Sequence, residues 1–178
     1  MSLHDRLYRR RVRFDECGEV KDKTVAITRT SKVVKGGRRF GFSALIIAGD
    51  GQGHVGYGLG KSNEVPDAMR KGGEQARKSM IRVPLKGTTV PHDVVGKFGP
   101  TTVMIKPGSP GTGVIAGSAV RTVLEAVGVK DIRTKITGSS NPYNVLYATF
   151  NALLALRDPE FIASGRSVSL EELGYAPY

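Results

Sequence analysis

Two kinds of hydrophobic patterning divide the chain into strands and helices. Residues 24–34 (TVAITRTSKVV) are dominated by β-branched side chains and predict a first strand. Lys35-Gly36-Gly37-Arg38-Arg39 interrupts the pattern as a flexible, basic turn. Residues 40–48 predict a second strand, with Phe42, Ala44 and Ile46 on one face and Leu45 and Ile47 on the other. Asp50-Gly51-Gln52-Gly53 is a hairpin signal, and residues 54–59 then read as a third strand. Three antiparallel strands are expected.

The period then changes. Val65, Ala68, Met69, Gly72, Gly73, Ala76 and Met80 recur at helical spacing, with Pro66 and Asp67 suited to the first turn. Gly72 and Gly73 fall on the apolar stripe, where they would let the helix approach the sheet backbone closely. Arg70, Lys71, Glu74, Arg77 and Lys78 occupy the opposite face. Further on, residues 94–106 predict a hairpin turning at Phe98-Gly99-Pro100, followed by a glycine- and proline-rich loop over residues 107–113. Helices are expected over 117–127, ended by Gly128, and over 142–156, with a strand over 132–137 between them. Val145, Thr149, Ala152, Leu153 and Leu156 mark the inward side of the later helix. The pattern gives an α+β protein of two units, β-β-β-α and β-β-α-β-α. The expected boundaries are a basic arm over 1–19, a first domain over 20–84, a second over 85–158, and a weakly patterned tail over 159–178 with a short helix at 169–173. The arm, rich in charge, is expected to order only on a partner.

A chain of 178 residues suits one or two such domains, and 39% hydrophobic content can form a packed core. The single cysteine, Cys17, forms no intramolecular disulfide, which fits a reducing compartment. No apolar run approaches the roughly 20 residues of a membrane helix. The net charge is +11 and unevenly placed. Residues 1–86 carry 19 basic and 9 acidic side chains, whereas residues 87–178 carry 8 and 7. Such segregation points to a polyanion met mainly by the first half.

The candidate phosphate-binding groups are Lys32, Lys35, Arg38 and Arg39 around Gly36 and Gly37, with Lys61 beyond the third strand. Arg70, Lys71, Arg77 and Lys78 add the helix face. Cations at strand ends and on one helix suit a reader of double-stranded RNA, which detects A-form shape through phosphates and 2′-hydroxyls. Two nucleotide motifs compete. Gly58-Leu59-Gly60-Lys61-Ser62 resembles the end of a Walker loop, but Val55 stands where the leading glycine belongs. Gly111-Thr112-Gly113-Val114-Ile115-Ala116, with Asp131 following, fits a dinucleotide fingerprint. It lacks a strand directly before the glycines; alternatively it holds an RNA phosphate or simply turns the chain. His4, His54 and His92 are far apart, and no nucleophile elbow exists, so no catalytic residue, metal or cofactor is expected.

Residues 30–40 (TSKVVKGGRRF), 49–58 (GDGQGHVGYG) and 60–66 (GKSNEVP) closely resemble the bacterial ribosomal protein S5 family, as do residues 111–117 (GTGVIAG) and 138–142 (GSSNP). The resemblance spans about residues 24–156. It implies a double-stranded-RNA-binding-like first domain and a second, two-layer α+β domain of the S5 domain 2 type. It further implies a non-enzymatic place in the small ribosomal subunit. The implied partners are 16S rRNA in the body and neck, the neighbouring proteins S4 and S8, and messenger RNA nearby where it enters its channel. An influence on translational accuracy is implied as well. Gly113, Gly117 and Arg121 would lie toward S4. Tyr147 occupies a position that is often basic in the family. A standalone duplex-RNA binder and a nucleotide-binding enzyme are the alternative classes.

Overall fold

The β-branched run after residue 20 does form a long strand, β1 (Lys21–Val34), and it opens an antiparallel sheet of order β1-β2-β3-β4 with β2 (Gly37–Gly49), β3 (His54–Ser62) and β4 (Ile81–Arg82). The computed structural model describes residues 11–12, 17–170 and 172. The expected arm over 1–19 and the short helix at 169–173 therefore lie largely outside the described residues. Within the arm, Arg11 bridges Ile81, and the Val12 N–H donates to the Met80 carbonyl at 3.0 Å.

The chain divides into two units, Met1–Arg82 and Val83–Tyr178. In the first, helix α1 (Val65–Lys78) lies against β2 and β3. Its apolar stripe buries Ala68, Gly72, Gly73 and Ala76, and Ala68 packs with Ala44 and Ile46. Ala48, Ala76 and Met80 form a second cluster, against which Cys17 and Val20 pack. The sheet and helix approach closely because β3 presents Gly56, Gly58 and Gly60 at alternate positions. A Cβ on each would run into the backbone of Ala76, Gly72 or Ala68 respectively. Alternate residues of the strand thus meet every fourth residue of the helix, with no side chain between the two backbones.

The second unit carries a sheet of order β5-β6-β8-β7, built from β5 (Val94–Phe98), β6 (Thr101–Pro107), β7 (Val114–Ile115) and β8 (Ile132–Thr137). Only β7 and β8 pair in parallel, and α2 (Ser118–Val127) connects them. Gly128 caps α2 in the left-handed conformation at φ 97°. Helix α3 (Pro142–Ala155) starts at Asn141, whose side chain accepts from the Tyr143 N–H at 3.0 Å. Val145, Thr149, Ala152, Leu153 and Leu156 are all buried, as their spacing predicts. Gly96 of β5 lies against the backbone of Ala148 and Ala152 in α3, repeating the glycine-to-helix contact of the first unit.

Three elements escape the pattern. Strands β4 and β7 have two residues each, too few to show a period. Helix α4 (Pro159–Arg166) forms where a weakly patterned tail is expected, capped by Asp158, which accepts from the Glu160 N–H at 3.1 Å. Its apolar signal is weak because only Ala163 is buried, while Phe161 is 79% exposed.

Candidate nucleic-acid interface

The β1–β2 hairpin turns at residues 35–36, with Val34 opposite Gly37, Val33 opposite Arg38 and Lys32 opposite Arg39. Residues 27–33 and 35–40 are exposed, so the hairpin continues beyond the part of the sheet that α1 covers. Gly36 has φ 95°, a conformation that favours glycine and lets the strands reverse within two residues. The pairing sorts the cations by face. Lys32 and Arg39 share one face, and Arg38 points to the other together with Val33. Lys61 pairs with Ser43, which puts it on the same face as Lys32 and Arg39. The expected phosphate site is therefore two-sided rather than a single patch.

Arg29 belongs with this group, although nothing in the local sequence pattern singles it out. Its guanidinium lies 3.7 Å from the centroid of the Phe40 ring, a cation–π contact that the spacing of the two residues does not suggest. From Arg29 to Phe40 the hairpin holds five cations and no carboxylate. Among the described residues, no carboxylate lies within ion-pair distance of Lys32, Lys35, Arg38 or Arg39.

Helix α1 is different. Arg70 is held by Glu74 at 2.9 Å and Asp67 at 3.7 Å, and Arg77 by Asp22 at 2.9 Å. Lys71 and Lys78 have no such partner among the described residues. The helix thus offers two paired and two unpaired cations. Exposed pairs of this kind contribute at most about 1 kcal/mol and can exchange partners with a phosphate.

Both nucleotide motifs dissolve in the structure. Gly58 and Gly60 lie inside a strand against α1, so their backbone is not available as a phosphate cradle. The fingerprint glycines precede β7, and α2 begins only at Ser118, so they do not open a helix. The loop's donors are already used. Asp131 accepts the Gly113 N–H at 3.0 Å. That bond, with the Thr88 hydroxyl and the N–H groups of Gly111 and Thr112, holds the carboxyl below the usual carboxylate range. The acid that would have bound a ribose instead closes the loop.

Of Gly113, Gly117 and Arg121, the last two are joined by a hydrogen bond, and Arg121 also reaches Val114, the residue after Gly113. Gly117 caps α2 and accepts the Arg121 N–H at 2.8 Å, while Arg121 Nη2 reaches the Val114 carbonyl at 3.2 Å. Tyr147 packs its ring on Phe98, centroids 4.7 Å apart, and burial, with Tyr143 nearby, raises its phenol above the usual value.

Of the histidines, His54 and His92 lie among the described residues, and both serve structure. His92 donates to the Asp93 carbonyl at 2.7 Å and accepts the Arg157 N–H at 3.0 Å. His54 Nδ1 lies 2.6 Å from Asp50, whose other oxygen accepts the N–H groups of Gln52 and His54. Burial opposes the Asp50 charge, but these hydrogen bonds outweigh it and hold the carboxyl below its usual range. Cys17 brings a third potential donor within 4.8 Å of both, a proximity that the sequence does not show. The Asp50 oxygens are committed to closing the hairpin.

These features define a basic two-unit α+β protein with an unopposed cationic hairpin. The ribosomal protein S5 N-terminal domain matches residues 20–84, and the S5 C-terminal domain matches residues 96–166. Small ribosomal subunit protein uS5 of Chloroflexus aurantiacus is 56% identical over 155 residues, covering 87% of each chain. Those of Syntrophobacter fumaroxidans and Lawsonia intracellularis are 54% and 53% identical, covering 85% and 84% of this chain and 92% of theirs. The chain belongs to the ribosomal protein S5 family. It is a constituent of the small ribosomal subunit and of translation, and its relatives are named as ribosomal proteins, not enzymes. No described helix is long and apolar enough to cross a membrane.

Proposed function

We propose that the first domain, residues 20–84, binds 16S rRNA in the body and neck of the cytoplasmic subunit. Lys32, Lys35, Arg38, Arg39 and Lys61 neutralise phosphates around the β1–β2 hairpin, and Lys71 and Lys78 do so on α1, with Arg70 and Arg77 exchanging carboxylates for phosphates. The observation that carries this reading is the hairpin itself, which is exposed and cationic and contains no acid. Uncompensated charge in one small ribbon weakens the free fold by self-repulsion and favours a polyanion complex through counterion release. The second domain, beginning at residue 85, faces the neighbouring proteins S4 and S8, with Gly113, Gly117 and Arg121 at the S4 contact. The protein then holds an RNA junction beside the path by which messenger RNA enters, supporting subunit assembly and decoding accuracy.

Replacing Lys35→Glu together with Arg38→Glu tests the reading. Filter binding to 16S rRNA across a salt series should show weaker association and a salt slope shallower by about 2. An unchanged slope removes the hairpin from the interface. A protein that sediments apart from ribosomes in a sucrose gradient would instead indicate a standalone duplex-RNA binder.

A further inference from the structure

Cys17, Asp50 and His54 bring three different donor types to one place. A thiol sulfur, a carboxylate oxygen and an imidazole nitrogen lie within 4.8 Å of one another, although Cys17 is far from the other two along the chain. The fold builds this approach. Cys17 packs on the cluster of Ala48, Ala76 and Met80. A Cβ on Gly18 would lie 3.8 Å from the Gln52 side chain, so residues 17 and 18 run against the β2–β3 turn. The Asp50 side chain is buried, that of His54 nearly so, and Cys17 is partly exposed. The cluster is therefore not sealed from solvent. An apolar side chain at residue 17 would cover the same core cluster. A thiol also sets a soft ligand beside a buried carboxylate.

We infer that this cluster is a Zn²⁺ site, in which the cation replaces the proton between His54 Nδ1 and Asp50 Oδ2 and draws in Cys17 Sγ as the third ligand. The inference does not depend on the rRNA reading. Both Asp50 oxygens serve the hairpin, but differently. Oδ1 accepts the backbone N–H groups of Gln52 and His54 at 2.8 and 3.1 Å. Oδ2 meets the His54 ring at 2.6 Å, and a cation between these two atoms makes the same link across the turn. On metal uptake the ring proton passes to Nε2 and the thiol proton to water. A thiolate, a carboxylate and a neutral imidazole then balance a divalent charge, whereas without the cation the two anions would repel each other. Tetrahedral bonds of about 2.0–2.3 Å hold neighbouring donors roughly 3.3–3.6 Å apart. The His54–Asp50 pair has only to open slightly and the sulfur to swing in. The mixed donor set selects the metal. Thiolate and imidazole disfavour Mg²⁺ and Ca²⁺, the carboxylate disfavours Cu⁺, and three protein ligands leave a fourth position for water. The bound ion ties the segment before β1 to the β2–β3 turn.

The test uses the full-length protein, reduced and stripped with a chelator, and Co²⁺ as a spectroscopic stand-in for Zn²⁺. The parent should bind a single equivalent of Co²⁺ with a thiolate-to-metal charge-transfer band and the visible bands of a tetrahedral site, both displaced by Zn²⁺. Cys17→Ser should lose the charge-transfer band. His54→Gln should weaken Zn²⁺ binding at least about tenfold in competition with a chromophoric chelator. Asp50→Asn keeps an oxygen for the two turn N–H groups and should show the same weakening. Zn²⁺ should also raise the melting temperature of the parent but not of Cys17→Ser, and protect Cys17 from iodoacetamide. A parent without the charge-transfer band overturns the inference and leaves the rRNA reading untouched. Undiminished affinity in both His54→Gln and Asp50→Asn overturns it as well, since the thiol would then take up metal without the cluster.

Discussion

Gly60 and Ala68 meet backbone to backbone, since a Cβ on the glycine would fall on the carbonyl oxygen of the alanine. Neither backbone can retreat without disturbing the sheet or the helix. Gly60→Ala should therefore lower stability by about 1–3 kcal/mol or more. Gly41→Ala is the control, because its Cβ would meet its nearest neighbour at 3.4 Å. Urea denaturation of both variants checks the difference.

The Asp131 carboxyl sits below its ordinary range because native N–H and hydroxyl donors favour its charged form. A depressed native value adds stability above the unfolded value, and that stability is lost as pH falls through the native one. Asp131→Asn should thus be less stable than the parent at pH 7, with the gap closing below about pH 4. Denaturation midpoints at several pH values will show it. A gap that stays constant with pH would mean that the carboxylate charge is not what anchors the loop.

On α1 the paired and unpaired cations should separate experimentally. Lys71→Gln with Lys78→Gln should reduce the salt slope of rRNA binding by about 2 without changing the melting temperature. Arg77→Gln breaks the exposed pair with Asp22 and should cost less than about 1 kcal/mol, an effect that high salt erases. Thermal melts at low and high salt make the comparison.

Tyr147 acts through packing. Tyr147→Leu should lose the ring contact with Phe98, worth about 0.5–1.5 kcal/mol beyond the buried area, while Tyr147→Phe keeps it. Neither variant should alter rRNA affinity. A change in affinity at unchanged stability would make the phenol an RNA contact.

Elements with a clear period were readable in the sequence. Strand β8 occupies the residues that its alternation predicts, and Gly128 ends α2 where a left-handed cap is needed. The role expected of Gly72 is seen, with its Cα close enough to the sheet that a Cβ would lie 2.8 Å from Ile46. Gly73 instead faces the carboxylate of Asp22. What stayed hidden depends on contacts distant along the chain. Asp22 and Arg77 are 55 residues apart, so their pairing could not be foreseen from the helix alone. Lys106 and Arg133 become neighbours only because β8 pairs with β6 after β7 and α2 intervene. Counting charge along the chain averages that pair away. Asp131 shows the same limit in reverse, since its distance from the glycines fits a ribose contact until the fold turns it back onto the loop.

The β1–β2 ribbon carries Lys32 and Arg39 on one side and Arg38 on the other, beyond the cover of α1. A flat surface could satisfy only one of these sides. On the proposed rRNA-binding reading, full neutralisation would require a cleft, in which the ribbon would act as a peg between two polynucleotide segments and fix the gap between them.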